Sequence, residues 1–302
     1  MYFRRICVGL DLELRDQTSD EFVPPIARHL VERGIEIAAA QRGELHFCAV
    51  IDGLDLTRVP ATPQQVSAFG GILSERLEAL ADDAHEAGVD CETSLLGGST
   101  WQELLRQANE WPADLILLGA GSQPSQLGPT ALRIMRSSTC PVLAVRSAAR
   151  EDDSEPPHVL IADDLSDLCG ERLQTFVGSG LWRDAKCWLT HVLEPDAWPE
   201  AWQGGLSKDD LARRQAAQVE SARLQLHEHL APTDHRTMNY GILTHVADGD
   251  FSATLRRLID EWQIDLLVCG SGSRMDALLP HVPGSVLCFR QPAIPDASHG
   301  HP

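Results

Sequence analysis

The sequence predicts an α/β protein built as two tandem doubly wound five-stranded parallel sheets with helices on both faces. Three observations carry this. Short apolar runs alternate with helix-period segments along the chain, the signature of βαβ units in a mostly parallel sheet. Asp114–Arg146 and Asp265–Arg290 echo one another: each opens on Asp-Leu, an apolar run and Gly-x-Gly-Ser, and each closes on Val-Leu, two residues and Arg. A length of 302 residues fits two domains at roughly 150 residues each.

In the first half, Arg4–Leu12 reads as a buried strand ending beside Asp11. Asp20–Gln41 reads as a helix with Phe22, Ile26, Leu30 and Ile37 on one face and Pro24–Pro25 in its first turn, where a missing N–H costs nothing. Glu44–Ile51 is a strand, and 52–63 is a loop. Gln64–Ala87 is a long helix closed by Gly88, the residue type that best takes the left-handed stop conformation. Val89–Leu96 is a third strand, and Ser99 caps a helix over WQELLRQANEW. Asp114–Leu118, Thr130–Ser138 and Pro141–Val145 complete the unit as strand, helix and strand. Right-handed crossovers make this order a doubly wound fold.

Residues 148–157 are charged, small and Pro-bearing, the composition of a linker. They divide a domain at 1–147 from one at 158–291, with a mobile tail at 292–302. The pattern then restarts. Strands are expected at His158–Asp163, Ala185–Leu193, Arg236–Thr244, Leu266–Cys269 and Val286–Phe289, and helices at Ser166–Leu181, Lys208–Leu230 and Phe251–Trp262. Only ten residues, Pro280 and Pro283 among them, separate Ser273 from Gly284, so a full helix does not fit before the last strand.

Composition narrows the function. The net charge of −19 repels nucleic acid and anionic lipid. The eight cysteines form no CxxC and mostly sit in apolar runs such as ICVGL and LLVCG, where they act as small hydrophobes in a reducing compartment. Neither a signal-peptide core nor a run of about 20 apolar residues is present, so a cytosolic protein without membrane contact is expected.

In open α/β sheets, ligands bind at the carboxyl ends of the strands. In the first half that position holds Asp11, Val50 and the glycine loop Gly119-Ala120-Gly121-Ser122, followed by Gly128 and Thr130. Glycines let backbone N–H groups approach a phosphate, and the next helix offers its positive end. The second-half counterparts are Asp164, Gly270, Gly272 and Ser273. The alternatives are that these glycines serve tight strand-to-loop geometry and that Asp11 and Asp164 cap the loops after them. His191 is read as packed. His227 and His229 are two apart on a helix and face different sides, so with His235 they make no metal set. Trp182, Trp188, Trp198 and Trp202 are read as packing. No nucleophile elbow, HExxH or Walker A pattern occurs, and catalysis is not expected.

The strand-one Asp11, the glycine loop, and the segments WPADLILLG and CPVLAVR resemble the universal stress protein family, with Gly284-Ser285 standing in the second half where Cys-Pro would be. The resemblance implies a Rossmann-like fold, a stress-response role and a tandem pair packed about a pseudo-two-fold axis, with contact near Pro141–Val145 and Val286–Phe289. It also implies partners: a protein or small ligand, and a homodimer of whole chains. ATP-binding members carry Gly-x2-Gly-x9-Gly-[Ser/Thr] after the fourth strand. Here Ser122 replaces the second glycine, five residues rather than nine precede Gly128, and Pro129 stands before Thr130. The expectation is that ATP binding is lost. An ATP- or AMP-binding sensor or weak hydrolase using the first half, and a structural dimerisation module, are the alternatives.

Overall fold

The structure, a computed structural model, describes residues 2–12, 23–52, 63–121, 123, 126–146, 155–194 and 208–290. Most of the 148–157 linker, the 292–302 tail, Phe22, the 53–62 stretch, Trp198 and Trp202 lie outside the described residues. In the first half the order is β1 (Arg5–Leu10), α1 (Pro25–Gln41), β2 (Glu44–Asp52), α2 (Pro63–Glu86), β3 (Asp90–Gly98), α3 (Thr100–Glu110), β4 (Leu115–Gly119), α4 (Pro129–Ser137) and β5 (Val142–Val145). The second half follows as β6 (His158–Ala162), α5 (Asp167–Ser179), β7 (Lys186–Leu193), α6 (Lys208–Leu230), β8 (Ile242–Asp248), α7 (Phe251–Glu261), β9 (Leu266–Gly270), α8 (Ser273–Leu278) and β10 (Ser285–Phe289).

The ten strands form one sheet in the order β3-β2-β1-β4-β5-β10-β9-β6-β7-β8. Read outward from the middle, the two halves have the same strand order. Pairing is parallel within each half, and the halves meet edge to edge where β10 runs antiparallel to β5, with Leu287 opposite Leu143. Each last strand thus covers an edge the other would leave open. The side-chain period of two then sends Leu143, Val145, Leu287 and Phe289 to one face and Val142, Ala144, Val286 and Cys288 to the other. Both apolar layers run unbroken across the seam.

The repeated Asp-Leu has a structural cause. The Asp114 carboxylate accepts the backbone N–H groups of Arg4 and Arg5 at 3.1 Å. The Asp265 carboxylate accepts the N–H of His158 at 2.7 Å. In each half this acid fixes the entry of the first strand beside the fourth. The second half has Gly284 before its last strand because a Cβ there would stand 2.6 Å from the carbonyl oxygen of Asp265. The neighbouring Ser285 links the halves: its hydroxyl accepts the N–H of Arg146 at 3.1 Å.

Several boundaries follow their stop signals. Pro25 opens α1 at its first position, and Gly88 takes φ +75° after α2. Helix α8 has six residues and passes into a 3₁₀ turn at Leu279–His281, in keeping with the crowding by prolines. The strand expected over 236–244 lies later, at Ile242–Asp248. His235–Thr237 form a 3₁₀ turn and Gly241 takes φ +69°, a left-handed conformation that interrupts an extended chain. Trp182 stacks on Phe176 at 4.8 Å and Trp188 on Trp262 at 5.2 Å, so both are packing residues. Among the described residues no helix is long and apolar enough to cross a membrane.

Candidate functional site

The strand order places a topological switch point in each half, where the carboxyl ends of β1 and β4, and of β6 and β9, lie side by side and their helices diverge. In the first half the register pairs Gly9 with Leu118, which brings exposed Asp11 to the same end as the glycine loop. Val50 is half-buried on β2 opposite Leu96 of β3. Gly119 lies beneath Ile26 of α1, whose Cγ1 would stand 3.3 Å from an added Cβ.

The loop beyond β4 is closed on itself. The Gly128 N–H donates to the Ala120 carbonyl at 2.7 Å. Gly121 has φ +107°, and a Cβ on it would meet the Gly128 nitrogen at 2.9 Å. Ala120 and Leu127 are buried. Pro129 occupies the first position of α4 and has no N–H to offer, and Thr130 follows it. The Arg146 guanidinium lies over the outside of the loop: Nη1 donates to the Gln123 carbonyl, and Nη2 to Gln126 at 3.0 Å and to Val282 of the second half at 3.3 Å. Ser122 lies outside the described residues. Of the donors a phosphate cradle would need, Gly128 is committed to the chain and Pro129 has none.

The second-half switch point is built differently. The acid buried at the end of β6 is Asp163, not Asp164. One Asp163 carboxylate oxygen accepts the N–H of Leu165 at 2.6 Å, and the other faces His229 Nδ1 of α6 at 2.8 Å. The side chains of His229 and Asp163 are 14% and 1% exposed. A carboxylate has no proton to give, so His229 Nδ1 is the donor. His191 Nδ1 likewise donates to the Asp163 carbonyl at 2.8 Å.

Asp164 is exposed and turns back on its own loop. It accepts the Ser166 N–H at 3.0 Å and the Cys169 thiol at 3.0 Å. This is the loop-capping geometry of an Asx turn. Burial raises the Asp164 pKa, but the bonds from Ser166 and Cys169 and the charge of Arg172 outweigh it and the net shift is downward. Burial pushes the Cys169 thiol up to about 12. Gly270 ends β9 and Ser271 N–H donates to Phe289, as Ala120 N–H does to Val145 in the first half. Gly272 caps α8 in an extended conformation and Ser273 opens that helix.

Sequence reasoning missed Arg172. It lies on α5, 8% exposed, with its guanidinium flat against Gly270: an added Cβ there would meet Nη1 at 2.3 Å and Cζ at 2.5 Å. The signal was available, because Cys169, Arg172, Leu173 and Phe176 share the i, i+3, i+4, i+7 stripe that faces the core, and a charge on such a stripe is rarely idle. The histidines are dispersed: His229 turns to Asp163, while His235 Nδ1 meets the Leu230 carbonyl at 3.1 Å. Among the described residues the one group of three potential ligand atoms within 4.8 Å is Asp163, Asp164 and Cys169. Cys169 already gives its proton to Asp164 and accepts from Arg172 Nη1 at 3.4 Å, so a cation there would face the guanidinium.

The sequence profile described as "Universal stress protein family" matches residues 3–146. Universal stress protein YxiE of Bacillus subtilis is 36% identical over 130 residues, 38% of this chain and 88% of the relative. Universal stress protein MJ0531 of Methanocaldococcus jannaschii is 28% identical over 133 residues, 42% of this chain and 78% of the relative. Across the full length, the crystal structure of a universal stress protein from Archaeoglobus fulgidus superposes with a TM-score of 0.63 at 14% identity, covering 97% of this chain and all of that one. A functionally unknown protein from Pseudomonas aeruginosa gives 0.64 at 16%, covering 95% of this chain and 92% of that one. These two likenesses establish the fold across both halves. From the first-half match, the chain belongs to the universal stress protein family.

Proposed function

We propose that this chain is a non-enzymatic stress-response protein that works by binding a small ligand or a protein partner, and that its first half no longer binds ATP. The observation that carries this reading is the self-closed loop after β4. Gly128 N–H is bonded to Ala120 O at 2.7 Å, Pro129 lacks an N–H, and Arg146 ties the Gln123 and Gln126 carbonyls. A phosphate on this loop would go without the Gly128 and Pro129 donors unless the loop opened. Family membership supports the stress-response role. No activated thiol stands at the second switch point, because burial pushes Cys169 up to about 12.

The test is to purify the protein from cells under native conditions, denature it and chromatograph the released small molecules. The expected result is no adenine nucleotide above trace level. Nucleotide at one equivalent per chain overturns the reading.

A further inference from the structure

A cavity of about 10 Å³ lies at the second-half switch point, enough for roughly one water-sized group. Its polar wall is made by Asp163, Cys169 and Arg172, between the ends of β6 and β9. Arg172 is more than nine-tenths buried. Its Nη1 donates to Cys169 Sγ at 3.4 Å, while Nε and Nη2 are buried without a hydrogen-bond partner. An unpaired buried cation with two unmet donors is among the most costly arrangements in a core.

The acids nearby attract it but give its Nε and Nη2 no hydrogen bond. Asp163 is taken by Leu165 and His229, and Asp164 by Ser166 and Cys169. The two orphaned groups are also a matched pair. Nε–H and Nη2–H lie along one edge of the guanidinium and point the same way. That edge can hold a single anionic oxygen between its two N–H groups, which is what a cavity of this size admits.

We propose that this cavity is a carboxylate seat: a small organic acid places one carboxylate oxygen between the Nε–H and Nη2–H groups of Arg172 at the second-half switch point. Two features select carboxylate over phosphate. The cavity admits little more than one oxygen at its floor, and the neighbouring Asp163 and Asp164 charges disfavour a dianion more than a monoanion. The proposal deepens the small-ligand part of the function proposed above, and it stands or falls independently of ATP binding in the first half.

The test is thermal melting of the full chain at fixed ionic strength with sodium formate, sodium acetate, inorganic phosphate or chloride. A ligand that binds only the folded state raises Tm saturably. The expected result is a saturating rise with formate and acetate beyond that with chloride. The rise is lost in Arg172→Gln and at least halved in Arg172→Lys, which keeps the charge but not the paired N–H groups. If Arg172→Gln does not fold, Gly270→Ala displaces the guanidinium instead and is expected to lose the same rise. Equal rises with all anions, a rise with phosphate alone, or a carboxylate rise that survives in the folded variants would each overturn the proposal. ATP binding that persists in Arg172→Gln would overturn the first-half reading and leave the carboxylate seat untouched.

Discussion

Gly270→Ala probes the packing of Arg172 most sharply, because the same substitution at Gly119 supplies its control. The two glycines end β9 and β4, the fourth strands of their halves, and neither has the positive φ that makes alanine strained. A Cβ at Gly270 would stand 2.3 Å from Arg172 Nη1, where ordinary contact begins at 3.4 Å. The guanidinium must therefore retreat by about 1 Å from a site where it is 8% exposed and bonded to Cys169. Overpacking of this kind costs about 1–3 kcal/mol, offset by about 0.4–1 kcal/mol from the stiffer unfolded chain. The net loss is about 0–2.6 kcal/mol, a fall in Tm of up to roughly 5 °C for a chain of this length unfolding as one unit. At Gly119 the nearest atom is Ile26 Cγ1 at 3.3 Å, so the strain is slight and the unfolded-state term leaves Gly119→Ala neutral or about 1 kcal/mol more stable. Urea unfolding of both variants followed by circular dichroism decides it. Equal shifts, or a stabilised Gly270→Ala, would refute the placement of Arg172 on Gly270.

Leu287→Ala removes a fully buried side chain at the seam and should cost about 2–5 kcal/mol. Because both apolar layers cross the seam, tryptophan emission and helical circular dichroism should still fall in one transition, and two separated transitions would count against a shared core. Asp164 has a lowered pKa, so its contribution to stability is complete above the normal carboxylate range and fades as pH falls below about 4. Asp164→Asn should flatten the acid limb of a stability-versus-pH curve, and an unchanged limb would sink that assignment. All eight cysteines are free and six are buried. The hydrogen bond from Cys7 lowers Cys48 to about 6, yet Cys48 is 1% exposed and access controls thiol chemistry. Cys91 and Cys140 are only half-buried, but partial burial pushes Cys91 up to about 12 and also raises Cys140, so an Ellman titration of the native protein should show no fast thiol and full reaction of all eight only on denaturation.

The fold was legible because strand and helix periods repeat twice and because the punctuation is local: Pro25, Gly88 and the prolines after α8 act on their immediate neighbours. The repeated Asp-Leu was visible as a motif, but its reason was not, since Asp114 and Asp265 act on strands more than 100 residues away. The shift of β8 to Ile242–Asp248 follows from Gly241, whose left-handed φ a sequence pattern does not display. At the first-half loop, counting residues pointed to a loop too short to wrap a triphosphate, while its closure through the Gly128–Ala120 bond was not legible. At the second-half site the sequence favoured Asp164, the exposed member of an Asp pair. Burial falls instead on Asp163, because only the structure shows α6 bringing His229 against it. Arg172 could have been found from its place on the apolar stripe of α5. Its surroundings could not, because they come from β6 and β9.

The proposed loss of ATP binding in the first half is tested by isothermal titration of ATP and AMP into the full chain, alongside Arg172→Gln. No saturable heat is expected from either nucleotide in either protein at millimolar concentration. Stoichiometric binding that is unchanged by Arg172→Gln would contradict it, because that nucleotide would be sitting on the loop between Gly119 and Gly128.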